Sequence, residues 1–303
     1  MASPRHWREL RALVTGATGF IGAHLTSRLI NLGADVHAVS RRPDNRAGPT
    51  WHVADLAEAA ATAELIRSTA PDVVFHLASA VTGARDPKLV RPVLDANLTA
   101  AVNLLTAAVD SPGIRLVLAG SVEETRGAEA TPPSPYAAAK SAATGYARMY
   151  HRLWDVAVTV LRVAMVYGPA QPDTAKLIPY ATLSLLRGQD PELSSGTRLV
   201  DWVYVDDVVD AFLAAADTDK AAGQVLDIGS GAQVSIRDTV ELLARIVGGG
   251  GQPRFGAISD RPLDHAQVAD PRPAAAVLGW RPTTSLEEGL RRTVAWYAGT
   301  MSP

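Results

Sequence analysis

The chain has 303 residues, 29 basic and 31 acidic side chains, a net charge of −2 and no cysteine. That length holds one large α/β unit or two modest domains, and the charge balance argues against a nucleic-acid partner. The missing thiols exclude disulfides, thiolate metal sites and cysteine catalysis, no apolar run approaches ~18 residues, and 1–11 lacks a signal-peptide core, so a cytoplasmic protein with no membrane partner and no metal is expected.

Residues 10–14 read as a strand that runs into Gly16-Ala17-Thr18-Gly19-Phe20-Ile21-Gly22. Phe20, Ile21, Leu25, Leu29 and Ile30 continue at helical spacing, with Gly33 as the stop. Gly16 suits a tight turn, Gly19 the approach of a phosphate to the backbone, and Gly22 close packing of helix on strand. A dinucleotide's pyrophosphate would then rest on the free N–H groups and positive end of that helix.

A second strand is expected over 35–40, a third over 50–54 with Asp55 at its end, and a helix over 57–70. Residues 73–77 form an apolar run suited to a strand buried on both faces, in which His76 reads as a satisfied buried histidine rather than a catalyst. A long helix over roughly 87–110, a strand over 114–119 and a polar segment to Pro133 follow. Ser134-Pro135-Tyr136 opens a helix that runs to Trp154, with a serine N-cap and proline at the first position. The spacing then predicts a strand over 156–166, a helix over 174–187, a strand over 198–205 and a helix over 206–216. A strand over 225–228, a helix from Ser235 to the glycines at 248–251 and a last helix behind the capping box Ser285-Leu286-Glu287-Glu288 complete the chain.

This alternation predicts an α/β fold: a doubly wound parallel Rossmann sheet with a smaller C-terminal α/β substrate lobe. The dinucleotide-binding domain is expected over 1–168, with 197–229 returning to it. The substrate lobe is expected over 169–196 and 230–303.

Tyr136 and Lys140 stand four apart and share a helix face. A free tyrosine, with a pKa near 10, is a poor base at neutral pH. An ammonium one turn away favours the phenolate, and lowering the pKa by about three units takes roughly 4 kcal/mol of differential interaction.

These residues, with Asp55-Leu56, His76-Leu77-Ala78, Asn97, Ser121, Arg162, Tyr167-Gly168-Pro169, Asp201-Trp202-Val203-Tyr204-Val205-Asp206-Asp207 and Leu278-Gly279-Trp280-Arg281-Pro282, carry a resemblance. Over nearly its whole length the chain resembles the extended short-chain dehydrogenase/reductases, also called NAD-dependent epimerases/dehydratases. The resemblance implies that Tyr136 is the general acid/base, that Lys140 holds the nicotinamide ribose and tunes the tyrosine, and that Ser121 hydrogen-bonds the substrate oxygen. It places Gly16, Thr18, Gly19, Phe20, Ile21, Gly22, Asp55, Leu56, Leu77, Ala78, Ser79, Asn97, Tyr136, Lys140 and Val163 around the cofactor. Val81, Glu123, Met165 and Arg198 fall on the substrate side.

Sugar-nucleotide dehydratases of that family use an Asp-Glu pair directly after the hydroxyl residue, and here Val122 takes the aspartate position. Members handling UDP-sugars usually carry asparagine at Met165 and arginine at Val200; Arg198, two residues earlier, points to the same strand face. At the end of the second strand Ser40-Arg41-Arg42 offers a hydroxyl and two guanidiniums in place of the carboxylate typical of NAD binders. That pattern suits a 2′-phosphate, so NADP is the expected cofactor, with NAD the other choice.

The leading expectation is therefore an NADP-dependent oxidoreductase that reduces a ring ketone of a nucleotide-linked 4-keto-6-deoxysugar. The alternative is a nucleotide-sugar 4-epimerase with bound NAD. A non-catalytic dinucleotide sensor is a third reading, against which the intact Ser121, Tyr136 and Lys140 speak. A homodimer is implied, packed through Leu98, Val102, Leu105, Tyr146 and Met149.

Overall fold

A computed structural model describes residues 7–127, 130–260 and 268–301. The chain begins with β1 (Arg11–Thr15), α1 (Phe20–Asn31), β2 (Asp35–Ser40), β3 (Thr50–Val53), α2 (Ala59–Thr69) and β4 (Val73–His76). It continues through α3 (Val90–Leu94), α4 (Ala100–Val109), β5 (Arg115–Ser121), α5 (Pro135–Trp154), β6 (Ala157–Val163), β7 (Met165–Tyr167), α6 (Leu177–Leu186) and β8 (Glu192–Leu193). Then come β9 (Leu199–Val200), β10 (Trp202–Tyr204), α7 (Val205–Asp217), β11 (Val225–Ile228), β12 (Val234–Ser235), α8 (Ile236–Val247), β13 (Arg254–Phe255), α9 (Arg272–Leu278) and α10 (Leu286–Met301).

The described residues fall into two compact units, one drawn from Met1–Val163, Val209–Asp227 and Arg272–Trp280, the other from Ala164–Val208, Ile228–Pro271 and Arg281–Pro303. The first unit is built on a seven-stranded sheet of order β11-β6-β5-β4-β1-β2-β3. Every pair from β3 across to β6 is parallel. The strand order reverses between β1 and β4, which opens a crevice at their C-terminal ends, where Thr15 and His76 stand. All four β4 residues are buried, as befits a strand covered on both faces.

Helix α5 starts as its sequence dictates. The Ser134 hydroxyl accepts from Ala137 N at 3.1 Å, Pro135 sits in the first turn, and the helix stops at Asp155 in the left-handed region (φ 54°).

The single helix expected over 87–110 is broken. One wide π turn, Asp95–Thr99, separates α3 from α4. The cause lies in Asn97, whose amide donates to Val93 O at 2.9 Å and to Ala80 O at 3.2 Å, while its Oδ1 accepts from Ser79 Oγ at 2.5 Å. The extra residue in the turn turns this side chain inward. Among the described residues, the stretch 87–109 is long and apolar enough to cross a membrane by length and composition. Its Val93, Leu104 and Leu105 nonetheless pack within the core of the first unit.

In the second unit β7 pairs with β10 in parallel, β9 with β12 antiparallel, and β8 with β13 in parallel. Tyr167, Ile178, Leu185, Val240, Leu243 and Leu290 make its core. Gly289 lets α10 lie against the Tyr167 hydroxyl, a spot where any Cβ would collide.

Two strands expected as single runs are split. Residues 156–166 divide at Ala164 into β6 of the large sheet and β7 of the second unit. Residues 198–205 divide at Asp201 into β9 and β10, because the Asp201 carboxylate draws in four donors: Ser230 N at 2.7 Å, Ser230 Oγ at 2.6 Å, Gly231 N at 3.0 Å and Ala269 N at 3.1 Å. The chain thus re-enters the first unit at Val209, not at 197, and Arg272–Trp280 also belongs there.

Candidate active site

The turn between β1 and α1 depends on the absence of side chains. Gly16 has φ +70°, and a Cβ on it would lie 2.6 Å from Ala78 N, so the turn rests directly on the backbone that leaves β4. A Cβ on Gly22 would strike the Gly16 carbonyl, which brings the first turn of α1 against the loop. Gly19 is the N-cap and supplies no side-chain cap, so the leading N–H groups of α1 stay available to an anion. Thr18 is exposed at this turn, Phe20 and Ile21 are half-buried, and Leu77 N donates to Thr15 O at 3.2 Å. This cradle fits a dinucleotide's pyrophosphate.

Beneath it, Thr15 Oγ1 accepts from Ala78 N at 3.2 Å and pairs with His76 Nδ1 at 2.8 Å. Burial, with help from the nearby Lys140 charge, pushes His76 down to about 3, so the ring is neutral. Its Nε2 has no hydrogen-bond partner, so the expectation of a satisfied histidine is met at one ring nitrogen only. A void of about 10 Å³, room for a single water, is lined by His76, Asn97, Gly120 and Lys140 among others.

At the end of β2, the Ser40 hydroxyl donates to the Arg42 carbonyl of its own turn, and Arg41 and Arg42 are exposed. Asp55 Oδ1 accepts from Ala57 N at 3.0 Å, and the carbonyl of buried Leu56 accepts from Asn103 Nδ2 at 2.8 Å.

Ser121, Tyr136 and Lys140 come together as buried side chains, although the first is 15 residues ahead of the second (136 − 121). The Tyr136 hydroxyl feels Ser121 and Ser79, both of which favour its ionised form. Lys140 Nζ donates to Ala119 O at 2.7 Å and lies 5.9 Å from the centre of the Tyr136 ring. Burial pushes Lys140 down to about 8, opposed by the Glu124 carboxylate. For Tyr136 the balance differs from the sequence expectation: burial drives its pKa well above the ordinary value, Ser121 and Ser79 draw it back, and Glu123 and Glu124 push it further up. Desolvation of the phenolate dominates, and Lys140 is not among the groups that lower this pKa.

Glu124, the second of the two glutamates that follow Ser121 closely, and Thr144, which the sequence does not announce, complete this cluster. Glu124 is 2% exposed; its Oε1 accepts from Ser121 N at 2.9 Å and its Oε2 from Thr144 Oγ1 at 2.8 Å. Thr144 stands four residues past Lys140, a spacing that places it on the same face of α5, and this is the signal that could have found it.

A family model described as the NAD dependent epimerase/dehydratase family matches residues 12–229. The chain belongs to that family. A UDP-glucose 4-epimerase of Mycolicibacterium smegmatis is 34% identical over 317 aligned residues, covering 95% of this chain and 98% of the relative. A crystal structure of UDP-glucose 4-epimerase with UDP-glucose from Thermotoga maritima superposes with a TM-score of 0.87 at 27% identity, covering 97% of this chain and 100% of that one. MoeE5 in complex with UDP-glucose and NAD superposes with a TM-score of 0.85 at 32% identity, covering 96% and 100%.

Against this epimerase/dehydratase background, the remaining expected positions fall in both units. In the first, Val81 is exposed and Glu123 half-buried, with Glu123 N donating to Ser121 Oγ at 3.1 Å. Val163 ends β6, where its carbonyl accepts from Val122 N at 3.2 Å. Met165 and Arg198 belong to the second unit: Met165 N donates to Asp201 O at 3.0 Å, and the Arg198 carbonyl accepts from Ile236 N at 2.9 Å. Of the five side chains expected to pack a dimer, Leu105 is fully buried in the core and Leu98 packs on a cluster with Val93 and Tyr136, whereas Tyr146 and Met149 are exposed.

Proposed function

We propose that the protein is a nucleotide-sugar 4-epimerase that retains NAD and acts on UDP-hexoses. One observation carries this reading: Ser121, Tyr136 and Lys140 cluster at the end of β5 in a chain 34% identical, over 95% of its length, to a UDP-glucose 4-epimerase. Gly16, Thr18, Gly19, Phe20, Ile21 and Gly22 would cradle the pyrophosphate, with Asp55, Leu56, Leu77, Ala78, Ser79, Asn97 and Val163 around the rest of the cofactor. The nicotinamide, when bound, supplies the acceptor and donor of hydride at the sugar's C4.

The chain's own residues handle the proton. Ser121 Oγ holds the sugar O4 hydroxyl, and Tyr136 takes its proton as the C–H bond is broken and returns it when hydride comes back to the other face. Burial alone keeps Tyr136 protonated, so this role needs a cation, and Lys140, one turn away on α5, is that cation. Within the first unit, Val81 and Glu123 stand on the substrate side. A two-fold dimer that covers Tyr146 and Met149, and a cytoplasmic location, complete the reading.

A second reading, an NADPH-dependent reductase of keto-sugar nucleotides, is favoured by one feature. The end of β2 offers exposed Arg41 and Arg42 and no carboxylate for a ribose 2′-hydroxyl. Dehydration of the sugar is disfavoured by buried Val122, which stands where dehydratases carry the aspartate.

The deciding experiment incubates the purified protein with UDP-glucose and UDP-galactose and follows sugar identity together with nicotinamide absorbance. Interconversion with no net absorbance change, and NAD released on denaturation, are expected. Stoichiometric oxidation of NADPH by a keto-sugar nucleotide, with no interconversion of hexoses, would replace this reading by the reductase.

A further inference from the structure

Strand β5 ends in three residues that each meet a different buried group. Ala119 gives its carbonyl to the Lys140 ammonium at 2.7 Å. Gly120 leaves the space that the Glu124 carboxylate fills, since a Cβ there would stand 2.5 Å from Glu124 Oε1. Ser121 gives its N–H to that same oxygen at 2.9 Å. On the facing helix, Lys140 and Thr144 are one turn apart, and Thr144 Oγ1 donates to the other Glu124 oxygen at 2.8 Å. Both oxygens therefore act as acceptors, the pattern of an ionised carboxylate.

From this geometry we infer that Glu124 is a positioning residue of the active site: it clamps the Ser121 backbone from below and provides the buried negative charge that keeps Lys140 an ammonium. This rests on the proposed roles of Ser121, Tyr136 and Lys140. No place in the dehydratase pattern is filled by Glu124, because the glutamate of that pattern falls on Glu123.

The charge has few competitors. Lys140 is faced by neutral His76 from β4, Tyr136 from its own helix, and Glu124 from the segment after β5, while Glu123 acts on Tyr136. From β6, Arg162 acts on Glu124 but is itself tied to Asp227, which Arg126 also engages at 2.6 Å. In so dry a setting a carboxylate beside an ammonium is the chief force against deprotonation of the lysine. A cleft of about 470 Å³, lined by Glu124, Ser141, Thr144, Arg148 and Arg162 among others, lies on this flank of α5. Thr144 lines both that cleft and the small void beside His76 and Lys140, so it marks the boundary between them.

The test exploits a simple spectrum: the chain has four lysines, Lys88, Lys140, Lys176 and Lys220. The full chain, labelled with 13C at lysine Cε, is titrated by NMR, and the Lys140 signal is identified by its loss in Lys140→Met. Glu124→Gln keeps the shape and removes the charge, and should lower the Lys140 midpoint by about one pH unit. In the loaded enzyme the alkaline limb of the pH–rate profile should move down by the same amount. An unchanged Lys140 midpoint in a folded Glu124→Gln overturns the inference and leaves Glu124 a brace for the backbone. Should Glu124→Gln fail to fold, Thr144→Val decides, with a smaller shift in the same direction expected and none contradicting it. The titration needs neither NAD nor substrate, so absence of epimerisation in the unaltered protein would refute the proposed function without touching this result.

Discussion

Asp201 in the second unit and Glu124 in the first are both buried almost completely, and their surroundings treat them in opposite ways. Asp201 in the second unit is 1% exposed and takes three backbone N–H groups and a hydroxyl, from Ser230, Gly231 and Ala269. Glu124 in the first unit is 2% exposed and takes two hydrogen bonds, one from backbone and one from Thr144; burial raises its pKa. A carboxylate saturated by donors from two other segments of chain fixes those segments in place. One with fewer donors leaves part of its field for its neighbours, here Lys140 and Arg162. The difference separates a residue that builds the fold from one that prepares chemistry.

The largest effect that could break this contrast is expected at Asp201. Asp201→Ala strands three N–H groups, that of Ala269 buried, and should destabilise the chain by about 5 kcal/mol, at 1–3 kcal/mol per orphaned donor. Denaturant unfolding of the full chain checks it, and a loss under about 1 kcal/mol would remove Asp201 from its structural role.

Tyr136→Phe should give the mirror image: an unfolding midpoint close to that of the parent, with epimerisation slowed by about 10² to 10⁴, or roughly 3 to 5 kcal/mol of barrier. A large stability change here would mean that the hydroxyl serves the fold first.

Lys140 sharpens the contrast through pH. Its pKa is lowered to about 8 from an ordinary 10.5, so the unfolded chain binds the extra proton and stability should rise between pH 8 and 10.5, by up to about 3 kcal/mol. Lys140→Met should abolish that rise, stabilise the protein at neutral pH and end activity. A flat pH dependence of the parent's stability over that window would contradict the burial of a cation.

The smallest effect is at Glu124. Its pKa is raised, so its contribution to stability is complete below the ordinary glutamate range and declines as pH climbs through the folded value. Glu124→Gln should flatten that decline, measurable as a midpoint that changes less between pH 4 and 7 than the parent's, by about 1 kcal/mol. Asp201→Asn, which keeps the side-chain size but weakens acceptance from the N–H groups, should instead lower stability throughout.

The features legible from the sequence were those set by neighbours along the chain. Strand, glycines and helix at 10–30 are local grammar, and so are the Ser134 cap and the four-residue spacing of Tyr136 and Lys140. The features that escaped depend on what lies across space. Asn97 widens its turn because Ala80, distant in sequence, offers a carbonyl. Tyr136 is pushed up because the first unit's core desolvates it, which no lysine spacing reveals.

The sequence by itself determined the alternation of strands and helices, the phosphate turn and the residue types of the reacting cluster, because backbone sterics, capping and side-chain period act over a few residues. Tertiary structure alone decided where the chain leaves and re-enters the first unit, at Ala164 and Val209, and why Asp201 interrupts a strand. It alone placed Glu124 beneath Ser121 and beside Lys140. Hydrogen bonding over such separations and loss of solvent arise only once distant segments are packed together, and they set both the strength of a charge and the state of the groups around it.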